Sequence, residues 1–415
     1  MSIQPGSNEI RDMAVEAVMN VKIMDINTHI VSGNFGPLML WGIDDLLTYH
    51  YLVAETMRWS DISYDHFWGL CKQDQAGLIW QTLFIDHSPI SEACSGVLTV
   101  LSRLWMDMSS RDLNEYRSCF ASMEPSEYID RVFDIAGVDS VVMTNDPFDD
   151  LERPVWTGAG SDDPRFQPAL RLDVLLNSWD AACPRLRGWG YMAEAGFGDK
   201  TLSEVRRFLK DWIIRLNPVY MAVSLPTMFV FPDTSSRSRL ILDCILPVAA
   251  EFNIPFAMMI GVKRAVNPQL RLAGDSGGRG DIGSVEYLCA NYPDNKFLVA
   301  MLSRENQHEL CVTARKFRNL MIFGCWWFLN IPHLIDEITT MRIELLGTSI
   351  TPQHSDARIL DQLIYKWDHS RKVIAGVLAD KHADIAATGW QVTKAEIERD
   401  AADLFGGSFR AFLKR

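Results

Sequence analysis

Paired cysteines, a long apolar run and an excess of positive charge are all missing from this chain of 415 residues. Cys71, Cys94, Cys119, Cys183, Cys244, Cys289, Cys311 and Cys325 stand singly, with no Cys-x-x-Cys among them. That spacing argues against cysteine zinc ribbons and dithiol redox pairs, and a chain this long needs no disulfide staples; reduced, mostly buried thiols are expected. The longest apolar stretches, such as 254–262, fall far short of the ~20 residues that span a bilayer. The opening residues carry neither the basic start nor the apolar core of a secretory leader, so a cytoplasmic protein is expected. Lys and Arg number 40 against 53 Asp and Glu, a formal net charge of −13. Nucleic acid and anionic membranes are therefore not expected partners, because both need clustered cations. An anionic small molecule would need arginines that reverse the field locally.

Several familiar catalytic patterns are absent as well. No Gly-x-Ser-x-Gly elbow occurs, which leaves serine hydrolase chemistry without support. His308-Glu309 starts like a zinc-protease signature, but Val312 stands where the second histidine belongs. The glycine-rich stretch 274–283 lacks the Lys-Ser/Thr of a phosphate-binding loop and reads as a mobile surface connection.

What is present is an alternation of short apolar runs with amphipathic stretches. The runs at 23–29, 140–145, 167–173, 219–225, 254–261, 296–303, 319–326 and 345–350 read as buried parallel strands. Helical patterns lie between most of them, at 201–216, 237–252, 283–292 and 306–316. This is the α/β signature of a (β/α)8 TIM-like barrel, expected as one domain over 1–415. More than a hundred residues separate the first two strands, and they read as mainly helical. Residues 31–138 are accordingly expected to be a helical insertion after strand one, capping the barrel mouth where active sites lie.

Strand ends carry the candidate chemistry. Asn27 and His29 in Asp25-Ile-Asn-Thr-His29 are two residues apart, hence on one strand face. Such a pair can hold one metal ion, or simply form a polar cluster capping the barrel floor. In Thr351-Pro-Gln-His-Ser-Asp-Ala-Arg358, Asp356 can be a ligand or can cap the helix that follows. Arg358 weakens the capping alternative, since a helix start does not favour a cation without an anion nearby. His50-Tyr51, in the insertion, can move protons or pack as core aromatics. Arg171, at the end of strand three, suits a bidentate carboxylate, with an ion pair to Asp173 or Asp146 as the alternative. Trp326-Trp327 can wall a sugar site or only fill space.

Taken together, Ile43-Asp-Asp-Leu-Leu-Thr-Tyr-His-Tyr-Leu-Val-Ala-Glu55, Val141-Val-Met-Thr-Asn-Asp-Pro147, Phe323-Gly-Cys-Trp-Trp-Phe328 and His354-Ser-Asp-Ala-Arg358 carry a likeness over essentially the whole chain. The sequence resembles the uronate isomerases of the amidohydrolase superfamily, in particular a divergent bacterial branch. The resemblance implies an intramolecular oxidoreductase of carbohydrate metabolism, converting D-glucuronate or D-galacturonate to the 2-keto isomer through a cis-enediol. It makes His29 and Asp356 metal ligands, His50 and Tyr51 a catalytic pair, Arg358 an active-site arginine, and Arg171 a substrate-binding residue; Trp326 and His50 are expected to touch the substrate as well. A divalent metal, zinc first, and a homo-oligomer acting on a small uronate are implied too. On this reading Tyr51, its phenol lowered by Arg358, removes the C2 proton. His50 orients or substitutes for it, Asp356 shuttles a hydroxyl proton, and Arg171 holds the C6 carboxylate.

Asn27 departs from the pattern, which has histidine there. An amide oxygen is a harder, weaker ligand than imidazole, so manganese or no metal at all becomes an alternative to zinc. Two competing readings stay open: a catalytically silent sugar-acid-binding relative, and a hydrolase of a lactone or amide.

Overall fold

The computed structural model describes residues 7–158 and 160–415. Strands β1 (Ile23–Thr28), β2 (Val138–Asn145), β3 (Phe166–Arg171), β4 (Met221–Pro226) and β5 (Phe256–Lys263) pair in parallel, each with the next. A two-residue β6 (Ser276–Gly277) folds back antiparallel on β5, and β7 (Phe297–Met301) and β8 (Leu320–Ile322) continue the parallel order. Helices alternate with these strands, and the architecture is a (β/α)8 barrel.

Closure comes from an extended segment, residues 350–358. On one side Gly324 N donates to Thr351 O at 2.8 Å and Thr351 N to Ile322 O at 3.3 Å. On the other, His29 N donates to Ala357 O at 2.7 Å and Asp356 N to Asn27 O at 3.2 Å. The strand expected at 345–350 is thereby corrected. Leu345 and Leu346 end the helix Pro332–Leu346, and the eighth staves the barrel several residues later. A short apolar run does not by itself separate a strand from the last turn of a helix.

Alternation along the strands builds two cores. Met24, Ile26, Val142, Ala169, Ala222, Ala257, Met259, Leu298, Ala300 and Met321 point into the barrel, where Phe409 and Phe412 of the helix Ser408–Leu413 join them. The opposite set, including Ile23, Val141, Val223, Phe256 and Val299, packs against the surrounding helices. Burying each such side chain contributes roughly 1.5–3 kcal/mol before entropy is counted.

Two particulars position the closing segment. Asp25, fully buried on the outer face of β1, accepts from Ser355 N at 3.1 Å and Trp367 Nε1 at 2.9 Å. It ties β1, the closing segment and the helix Gln362–Ala387 together, and burial pushes its carboxyl up to about 6. Gly324, at φ +68°, leaves room for the ring of His354: a Cβ there would come 1.8 Å from His354 Cδ2. Gly324→Ala is therefore expected to destabilise the fold by about 2 kcal/mol or more, through both strain and overpacking. A thermal melt indistinguishable from the parent's would contradict this.

Between β1 and β2 lie the helices Ile43–Leu47, His50–Trp59, Tyr64–Gly69, Lys72–Trp80, Glu92–Arg103, Leu113–Ala121 and Pro125–Ala136. The continuous helix read over 43–57 is broken: Thr48 and Tyr49 separate two helices, with Tyr49 extended at φ −66°, ψ 145°. The glycine-rich stretch is not a loose connection. β6 presses on β5 so closely that a Cβ on Gly261 would meet Gly278 O at 2.6 Å. The hairpin also leans on the insertion, where Trp68 Nε1 donates to Gln269 O at 2.8 Å and Arg271 lies 4.4 Å over the Trp68 ring. No helix among the described residues is long and apolar enough to cross a membrane.

Candidate active site

At the C-terminal ends of the strands a cavity of about 90 Å³, partly open to solvent, is lined by residues from seven stretches of the chain. His29, Arg171, Ser224 and Met259 come from the strands, Tyr49 and His50 from the insertion, Arg264 and Asp275 from the β5–β6 hairpin. Leu272, Trp326, Trp327, Asp356 and Arg358 complete the wall.

The pairing of β1 with β2 slips between Asp25 and Thr28, and past the slip Asn27 and His29 both reach Asp356. Thr144 Oγ1 spends its hydrogen on Thr28 O at 3.0 Å, so His29 Nδ1, 2.7 Å away, must donate to it. His29 Nε2 is left facing Asp356 Oδ1 at 3.5 Å. Burial pulls the His29 imidazole down, against the opposing pull of Asp356. Burial alone would raise the Asp356 carboxyl. The His29, His354 and Lys366 side chains around it outweigh burial and hold it below the usual carboxylate range. Asp356 is thus an ionised carboxylate, and it sits at φ +52°, a strained conformation for a residue with a side chain.

Asn27 presents the other end of its amide to this carboxylate. Its Nδ2 donates to Asp356 Oδ1 at 3.3 Å, while its Oδ1 faces the Tyr220 hydroxyl at 3.3 Å. Turning the amide over would aim its oxygen at a carboxylate oxygen, which is repulsive without a cation between them. The set facing one point is therefore one imidazole nitrogen and one carboxylate, and no group of three or more His, Cys, Asp or Glu suited to a metal occurs among the described residues. This donor set does not fit zinc, which takes three or four such ligands from a protein.

Beside the helix His50–Trp59, Trp327 Nε1 donates to His50 Nε2 at 3.2 Å. Burial pushes the His50 imidazole down to about 4, so it is neutral with its hydrogen on Nδ1. That arrangement makes His50 an orienter and donor rather than a spare base. Tyr49 packs against it, tilted, at 4.1 Å between centroids, and Tyr51 likewise at 4.2 Å on the same ring. Tyr49, not Tyr51, is among the cavity-lining residues. Burial pushes Tyr51 well above the ordinary phenol range, and the charge of Arg358 falls on Tyr49, His50 and His29 instead. The expectation that Arg358 lowers Tyr51 is therefore corrected. The cation beside Tyr51 is Lys366, its Nζ 5.7 Å from the ring centroid.

Arg171 is gripped by Asp173, Nε to Oδ2 at 2.9 Å and Nη2 to Oδ1 at 3.2 Å, so the ion-pair alternative exists beside the cavity-lining position. Arg358 lines the cavity as an exposed guanidinium. Arg264 pairs with Asp275 across the hairpin, and Asp275 also accepts from Ala265 N at 2.8 Å.

Of the residues singled out from sequence, His29, His50, Arg171, Trp326, Asp356 and Arg358 line one cavity, with Asn27 against Asp356 and Tyr51 against His50. Sequence reasoning missed Tyr49, Arg264 and Asp275. Tyr49 was visible only as the third aromatic of Tyr49-His50-Tyr51, and the other two depend on a hairpin that no apolar pattern announces.

No protein-family model and no curated protein matches the chain. Solved structures do. A uronate isomerase from Bacillus halodurans C-125 is 56% identical, with all of this chain and 98% of that one covered and a TM-score of 0.98. A uronate isomerase from Thermotoga maritima, 14% identical, covers 99% and 100% at TM-score 0.78, and a glucuronate isomerase from Caulobacter crescentus, 15% identical, covers 99% and 95% at 0.78. At those lower identities the likeness speaks for the fold.

Proposed function

The chain belongs to the uronate isomerase family, and from that premise we propose how its own residues carry an aldose–ketose isomerisation of D-glucuronate or D-galacturonate. The observation that carries the reading is an ionised Asp356 on the wall of an arginine-lined cavity, with Tyr49 and His50 also lining it and Tyr51 packed against His50.

Moving the carbonyl from C1 to C2 needs a base for the C2 proton and an acid for the C1 oxygen. Asp356 is the group already in its basic form, and a positioned carboxylate can take a proton next to a carbonyl. Tyr51, held as a phenol by burial, gives its hydrogen to O1 as the C1=C2 bond forms, which yields the cis-enediol. Asp356 then returns its proton to C1, and the O2 hydrogen passes to the Tyr51 oxygen as C2=O forms. Protons balance, and both groups end as they began. Relative to the reading from sequence, the carboxylate and the phenol exchange roles.

His50, fixed by Trp327, orients the sugar by donating from Nδ1. Arg171 and Arg358 hold the C6 carboxylate, Trp326 walls the ring, and residues 31–138 act as the cap that excludes water. No step passes through a metal, since Asn27 leaves the zinc set incomplete; a divalent ion, if held at all by His29 and Asp356, would be a hard one such as manganese. The cytoplasm fits eight free cysteines.

Tyr51→Phe tests the assignment: kcat for keto-acid formation should fall by roughly 10²–10³-fold with KM little changed. If only Tyr49→Phe produces that loss, the phenol role belongs to Tyr49. Arg171→Ala should instead raise KM for the uronate by about tenfold or more and leave the affinity for a neutral hexose unchanged. An unaltered KM would place the carboxylate elsewhere.

A further inference from the structure

Lys366, on the helix Gln362–Ala387, is buried behind the cavity, and the mechanism above does not use it. Its ammonium makes one long hydrogen bond, to Asn330 O at 3.4 Å, and otherwise faces two phenol rings, Tyr51 at 5.7 Å and Tyr365 at 5.1 Å. Glu92 and Asp356 act on it through space rather than by contact. A buried ammonium without a contact ion pair is costly and persists where something else uses the charge. Asn330 also donates from Nδ2 to His354 O at 3.2 Å and Ser355 O at 3.0 Å. One residue thus holds both the lysine and the segment that delivers Asp356.

We propose that Lys366 is a positioning residue for the isomerisation, its buried ammonium offsetting the negative charge that forms on the Tyr51 oxygen during proton transfer. This rests on the proton-transfer role given to Tyr51. It is favoured over Arg358, whose charge falls on Tyr49 and His50 and not on Tyr51. The attraction of the ring face for a cation within about 6 Å keeps the ammonium in place in the resting state. As the phenol loses its proton, the same charge becomes a full counter-ion in a water-poor setting, where electrostatic effects on a developing charge are largest.

Lys366→Met removes the charge and keeps the length of the chain. Expected are a kcat lowered by about 10–100-fold, KM within about twofold of the parent, and a melting temperature no lower than the parent's. In a Tyr51→Phe background the same substitution should change kcat by less than about twofold, because the charge then has no phenolate to stabilise. Parental kcat in Lys366→Met overturns the proposal, and so does a full additional loss on top of Tyr51→Phe. Should Lys366→Met not fold, Lys366→Gln is read by the same two outcomes. A fully active Tyr51→Phe single variant is a separate result: it removes the phenol from the mechanism, and this role of Lys366 with it.

Discussion

Asp356→Asn lowers kcat for uronate isomerisation by about 10³-fold, within the 10²–10⁴ range of a positioned general base. The asparagine keeps the shape of the side chain and can keep a hydrogen bond to Asn27 or His29, so the closing segment should stay in place. What is lost is the ionised form that burial opposes and His29, His354 and Lys366 sustain. Substrate affinity should change little, since Arg171 and Arg358 hold the carboxylate. Steady-state kinetics read both numbers, and retention of more than about a tenth of parental kcat would remove Asp356 from the base role.

Asn27→His should tighten zinc binding by about 100-fold or more, because a second imidazole beside His29 and Asp356 completes the three-ligand set that zinc takes in barrel enzymes. The His29 tautomer is already suited: Thr144 accepts its Nδ1 hydrogen, which leaves Nε2 free to bind metal. The parent protein places an amide N–H against Asp356 instead, and so supplies its own positive partner for the carboxylate. Competition with a coloured zinc chelator reads the affinity directly, independent of turnover. Equal zinc affinity in the two proteins would mean that Asn27 turns its oxygen inward and serves as the ligand.

Much of the barrel was legible because seven strands are apolar runs flanked by turns or amphipathic helices, and burial on both faces leaves that mark. The eighth was misplaced because residues 350–358 are largely polar, Thr351-Pro-Gln-His-Ser-Asp-Ala-Arg358, and pair through backbone groups that no hydrophobic pattern reports. β6 is two residues long and equally silent. In the site, the strand-end residues His29, Asp356 and Arg171 stood out by chemical type, as did the departure at Asn27. The direction of the Asn27 amide did not, because it depends on Asp356, more than three hundred residues away in the chain. Lys366 looks like any lysine on a long helix until the fold sets it against Tyr51. Arg358 was assigned to the wrong tyrosine for a related reason: two tyrosines flank one imidazole, and sequence order does not say which faces the guanidinium.

The most direct measurement is proton NMR of D-glucuronate and D-galacturonate in D2O with protein stripped of metal by a chelator. Formation of the 2-keto acid, with deuterium appearing at C2 of the recovered aldouronate, is the expected result, and added zinc should not raise the rate. Isomerisation only after zinc is restored, or none under any condition, would contradict a reaction carried by Asp356 and Tyr51 without a complete zinc site.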